Sequence, residues 1–89
     1  MIINVLGREV EIEYCSHARI TALSEDPASI GYFDGNKIYI KDTLVGDQRQ
    51  RVLKHELVHA VLAFSGLTNL LADELEEAIA DAMEGLPQI

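Results

Sequence analysis

The sequence predicts a small α+β domain: a small antiparallel sheet of hairpins packed on a long helix that carries a histidine pair, and on a second, C-terminal helix. Three observations carry this. The first 41 residues hold short runs that are apolar or alternate apolar with polar, separated by turn formers. Residues 48–64 pass without Gly or Pro from a polar start to an almost wholly apolar end. Residues 73–84 open on acids and repeat apolar residues at helical spacing. A chain of 89 residues supports one hydrophobic core, so residues 1–89 are read as a single domain.

Residues 2–6 and 10–14 flank Gly7-Arg8-Glu9 and read as a hairpin. In the second run Val10, Ile12 and Tyr14 alternate with Glu9, Glu11 and Glu13, which puts one face in the core and the other in water. Residues 18–23 are expected to form a helical turn and residues 24–27 a connection. Residues 30–33 and 37–40 then flank Asp34-Gly35-Asn36, whose residue types tolerate positive φ and mark a second hairpin. After a loop at 41–47, with Asp47 as the expected N-cap, a helix runs over 48–64 and stops at Ser65-Gly66. Asp73 and Glu76, three residues apart, make a capping box for a second helix that reaches about Glu84, before Gly85 and Pro87. Its apolar stripe is Leu75, Ala78, Ile79, Ala82 and Met83.

The long helix contains His55-Glu56-Leu57-Val58-His59, the H-E-x-x-H pattern. Residues i and i+4 of a helix lie nearly above one another, so both imidazoles reach one metal ion. Glu56, about 100° further round, reaches a water on that ion without ligating it. Every residue from Leu57 to Phe64 except His59 is apolar, so this half of the helix is expected to be dry on all sides, where unpaired polar groups are costly and a cation would pair them. Two imidazoles and a carboxylate with an open fourth position suit zinc. The third ligand is expected from the second helix. At about 100° per residue Glu76 falls at the edge of the apolar stripe, near Ile79 and Met83, and is the favoured ligand, with Glu77 as the alternative. His17, Tyr32 and Tyr39 are candidates for polarising a substrate or stabilising an oxyanion, against plain surface or packing roles. Cys15 reads as a small residue on a strand.

Composition narrows the functional classes. The formal charge is −8, all seven Lys and Arg precede His55, and residues 55–89 carry seven acids and no base. Direct nucleic-acid binding, which needs a basic face, is not expected. No apolar run approaches the roughly 18 residues of a membrane span, and the N-terminus shows no secretory pattern. A lone Cys15 suits a reducing cytoplasm.

The chain resembles the ImmA/IrrE family of zincin-type metallopeptidases, in particular its short members from phage and mobile elements. The resemblance rests on Lys37 to Ile40 at the end of a strand-turn-strand, on Arg51 to Ala60 with its H-E-x-x-H, and on the helix from Glu76 to Met83. The family's helix pattern is met by Glu76, Ile79 and Ala82 in one register and by Glu77, Ala80 and Met83 in the next. It implies a minimal zincin-like fold and a zinc metalloendopeptidase in which Glu56 is the general base. The substrate it implies is a cytoplasmic protein, such as a helix-turn-helix repressor. The alternative expectation is a catalytically inactive protein-binding module on the same scaffold.

Overall fold

A computed structural model describes residues 1–84; the helix stop expected at Gly85 and Pro87 lies outside the described residues. Strands β1 (Ile2–Val5) and β2 (Arg8–Cys15) form the first hairpin. Helix α1 (His17–Ser24) follows, then β3 (Gly31–Phe33), β4 (Lys37–Lys41), the long helix α2 (Gly46–Phe64), a 3-10 turn (Leu67–Asn69) and α3 (Asp73–Met83). The class is α+β, as the sequence predicts.

The four strands lie in the order β1-β2-β4-β3, and both hairpins are antiparallel. The sheet as a whole is mixed, however, because β2 and β4 pair in parallel, with Ile12 opposite Ile38 and Tyr14 opposite Ile40. The expected all-antiparallel sheet differs here for a local reason. The helical turn expected at 18–23 is a full helix capped by Ser16, whose Oγ accepts from the Arg19 amide at 3.2 Å. Its crossover returns the chain so that β4 runs alongside β2 in the same direction.

The period-2 pattern of the strands sets the layers. Val10, Ile12, Ile38 and Ile40 turn to α2 and form the main core with Val52 and Ala60, while Phe33, Leu53, Leu57 and Phe64 pack around it. On the opposite face Cys15, Ile20 and Tyr39 make a smaller cluster under α1, with Tyr32 against it. Burial pushes the Cys15 thiol above its ordinary pKa, so it stays protonated and inert.

The first hairpin turns on two residues, because Val5 pairs with Arg8. Leu6 and Gly7 take φ of 52° and 81°, and the Asn4 side chain accepts from the Gly7 amide at 2.9 Å. Helix α2 begins at Gly46 behind Val45, with no side-chain cap. Asp47 therefore lies inside the first turn, where its charge faces the positive helix end, and is not the N-cap. Among the described residues no helix is long and apolar enough to cross a membrane.

Candidate metal centre

His55 and His59 project from the same side of α2, as their spacing requires, and their Nε2 atoms are 3.2 Å apart. Their side chains are 16% and 14% exposed, so the pair is mostly shielded. Expected dryness on all sides of this helical half does not hold, since Val61 is 40% exposed. The histidines lie on the sheltered flank, between α2 and α3.

Helix α3 meets them with carboxylates. Glu77 places Oε1 3.0 Å from Nε2 of His59 and Oε2 3.3 Å from Nε2 of His55. Glu76 stands behind the pair, its Oε2 2.6 Å from Nδ1 of His59, and Glu84 does the same for His55, its Oε1 2.7 Å from Nδ1. Asp81 adds a carboxylate oxygen 3.3 Å from the same Nδ1. The face of α3 against α2 therefore runs through Glu76, Ala80 and Glu84 at four-residue spacing. Ala80 is fully buried and lets the helices approach.

The sequence favours Glu76 over Glu77 as the third ligand, and the structure places the two differently. Glu76 does turn inward, as its helical phase requires, but it meets the Nδ1 side of His59 and not the shared Nε2 side. Glu77, the alternative, occupies the Nε2 side with its side chain 56% exposed. Nor does the capping box form: α3 has Ala72 as its N-cap with no side-chain bond, and Glu76 is committed to His59 instead. The apolar stripe differs as well. Leu75 and Met83 are 51% and 39% exposed, so the stripe faces away from α2.

The donor set fits a cation. An ionised carboxylate only accepts hydrogen bonds, so Nδ1 of each ring is the donor to its Glu, and a neutral imidazole then leaves Nε2 as a bare lone pair. In that tautomer two Nε2 lone pairs and the Glu77 carboxylate face one another. Donors around a tetrahedral ion with bonds of roughly 2.0–2.1 Å are about 3.3 Å apart, close to the 3.2 Å between the two Nε2 atoms, while Glu77 sets a different oxygen against each ring, at 3.0 and 3.3 Å. His55, His59 and Glu77 form a group able to hold a metal ion; His55 with Asp81 and Glu84 form a second. That second group uses Nδ1 of His55, the atom whose hydrogen bond orients the ring, and so supports the first.

No protein-family model, curated protein or solved structure matches the chain.

Glu56 lies beside the pair and is buried, with 7% of its surface exposed. Desolvation raises its pKa above the ordinary carboxylate value, while the neighbouring His55 and His59 pull it down. Gly31 of β3 makes room for it: a Cβ there would stand 3.0 Å from Glu56 Oε2 and 2.6 Å from Val52 Cγ1. Glycine is thus required by close approach of strand and helix. Helical phase alone puts Glu84 and Asp81 on the wet side of α3, whereas both reach His55, and nothing in the sequence singles out Gly31. Glu84 was legible as the third member of the Glu76, Ala80, Glu84 row.

A cleft of about 670 Å³ opens over the site, lined by β3, His55, Glu56, His59 and Glu77, with Ala63 and Thr68 at its far side. Tyr32 lines it. Tyr39 is buried against Cys15 and Ile20, with its hydroxyl 3.4 Å from Asp34 Oδ2, which makes it a packing residue. His17 does not line the cleft; its Nδ1 is buried in the body of the protein.

Proposed function

We propose that the protein is a minimal zinc metallopeptidase of the ImmA/IrrE kind, with His55, His59 and Glu77 as the metal ligands. The observation that carries this is the convergence of the Nε2 atoms of His55 and His59 and one carboxylate beside the buried Glu56. Zinc is favoured because imidazole nitrogen and carboxylate oxygen in a three-ligand set leave a position open. When bound, zinc supplies Lewis acidity, lowering the pKa of a water and polarising a carbonyl.

The chain's own groups do the rest. Glu56 takes the proton of the attacking water as its oxygen bonds to the scissile carbon, and passes that proton to the amine as the C–N bond breaks. A carboxylate with a raised pKa is suited to both halves of the transfer. Glu76 and Glu84 hold the imidazole tautomers and ring orientations. Strand β3, at the end of the sheet, offers its free edge to an extended substrate. The resemblance favours a cytoplasmic protein substrate such as a helix-turn-helix repressor.

A second reading, a catalytically inactive protein-binding module, is favoured by the outward apolar stripe of α3. Incubation of the zinc-loaded protein and of its Glu56→Gln variant with a peptide mixture separates the two. The peptidase reading requires cleavage by the former and a loss of about 10²–10⁴-fold in the latter at equal zinc content. Absence of cleavage by the zinc-loaded protein, or equal cleavage by both, sinks it.

A further inference from the structure

We infer that the groove beside β3 selects extended peptide segments rich in Lys and Arg, with Asp26 and Asp34 conferring the preference. The inference rests on the peptidase reading of the same site and adds its substrate class. The cleft of about 670 Å³ and a neighbouring cavity of about 220 Å³ share Ser29, Gly31, His55 and Glu56. They form one groove that follows β3 past the histidine pair.

The charge in that groove has one sign. Asp26, Asp34, Glu56, Glu76, Glu77 and Glu84 line it, and no Lys or Arg does among the described residues. Glu56 is buried and Glu76 and Glu84 are bonded to the imidazoles, so the exposed charge beside the pair is that of Asp26 and Asp34, with Glu77 at the histidines. Lining of low dielectric focuses such a field on whatever enters. Several of the protein's cations are engaged elsewhere: Lys37 and Arg19 pair with Glu13, while Arg8 and Arg49 lie over Phe64 and Tyr14.

The backbone fixes the shape of the guest. Ile30 and Asp34 bond across to Lys41 and Lys37, and Tyr32 pairs with Tyr39 between them, so residues 30, 32 and 34 face β4. The alternation leaves the polar groups of Gly31 and Phe33 on the free edge. A peptide laid there is extended. Asp34 directly follows this edge and Asp26 lies in the segment leading into it, so an acid stands near each end.

Both aspartates are exposed, and one oxygen of each holds its own loop. Asp26 Oδ1 accepts from the Ala28 amide at 2.9 Å, and Asp34 Oδ1 accepts from the Asn36 and Lys37 amides at 2.8 and 2.7 Å. Asparagine keeps that acceptor and removes the charge; at Asp34 it also replaces the oxygen 3.4 Å from the Tyr39 hydroxyl with an amide donor, to which that hydroxyl can turn as acceptor.

The test uses zinc-loaded Glu56→Gln protein, so that binding is read without turnover. Fluorescent peptides of equal length, one Lys/Arg-rich, one neutral and one Glu-rich, are titrated by anisotropy. The basic peptide is expected to bind at least ~10-fold more tightly than the neutral one at low salt, with the gap narrowing as salt rises. Asp26→Asn and Asp34→Asn should each lower the basic-to-neutral ratio by roughly two- to fivefold. Glu9→Gln and Asp42→Asn, outside the groove, should not. Equal binding of all three peptides overturns the inference, as does a preference that both Asn variants leave intact. Basic-selective binding by a protein that cleaves nothing upholds this inference and removes the peptidase reading. Equal cleavage of neutral and basic peptides by the unsubstituted protein does the reverse.

Discussion

The carboxylate of Glu77 straddles the histidine pair, one oxygen 3.0 Å from Nε2 of His59 and the other 3.3 Å from Nε2 of His55. Glu76, one residue earlier, touches only Nδ1 of His59. The two glutamates therefore have separable roles. Glu77→Ala is expected to lose stoichiometric zinc. Glu76→Gln should retain it with affinity reduced by about 10- to 100-fold, the usual effect of removing a partner behind a ligating histidine. Competition against a chromophoric chelator reads both. Normal zinc binding in Glu77→Ala, with loss in Glu76→Ala, would restore the sequence-based choice of ligand.

Strand β3 and helix α2 approach so closely at Gly31 that a single methyl is excluded. Gly31→Ala forces its Cβ against Val52 Cγ1 and Glu56 Oε2, and is expected to destabilise by about 1–3 kcal/mol. On the peptidase reading it should also depress hydrolysis by displacing Glu56. Adding Val52→Ala removes the closer contact and should recover part of the stability, while the contact with Glu56, and hence the loss of activity, persists. Thermal melts with parallel cleavage assays check the pair; a full recovery of both quantities would contradict it.

Leu6 holds φ of 52° in the first hairpin turn while 61% exposed, so its side chain contributes little burial to offset the left-handed backbone. Leu6→Asn, beside Gly7, gives the residue pair that such turns favour. It is expected to add about 0.5–1 kcal/mol, raising Tm by a few degrees. A lower Tm would show that Leu6 makes a compensating contact.

On the outer face of the sheet, Lys37 donates to Glu13 at 2.8 Å and Arg19 Nε lies 2.7 Å from its second oxygen. The hydrogen bond from Lys37, helped by the charge of Arg19, outweighs desolvation and holds the Glu13 carboxyl below its ordinary pKa. The unfolded chain then binds the proton more readily than the folded one. Stability from this group is present above the unfolded pKa and is lost as pH falls through the folded value. Glu13→Gln is expected to melt below the unsubstituted protein at neutral pH, with the two curves converging in acid. A constant offset at all pH values would rule out a charge-based contribution.

The hairpins, the long helix and the histidine pair were legible because each depends on local pattern: alternation at Val10 and Ile12, turn chemistry at Asp34-Gly35-Asn36, and four-residue spacing at His55 and His59. What was not legible depends on partners distant in sequence. The parallel pairing of β2 with β4 follows from where α1 sends the chain. Helical phase turned Glu76 towards α2, but which ring nitrogen each of Glu76 and Glu77 meets follows from how α3 lies across the histidines, and the apolar stripe used to set that phase is turned outward. Gly31 reads as an ordinary strand glycine until α2 is laid across it.

Helix α3 buries only Ala80 among its described residues, and it meets the histidines of α2 through carboxylates. A contact of this sort leans on charge more than on apolar area. Under the proposed metal reading, a cation shared by the donors would hold α3 to α2, so occupancy of the centre and docking of the helix would be linked, and chelation is expected to lower the Tm.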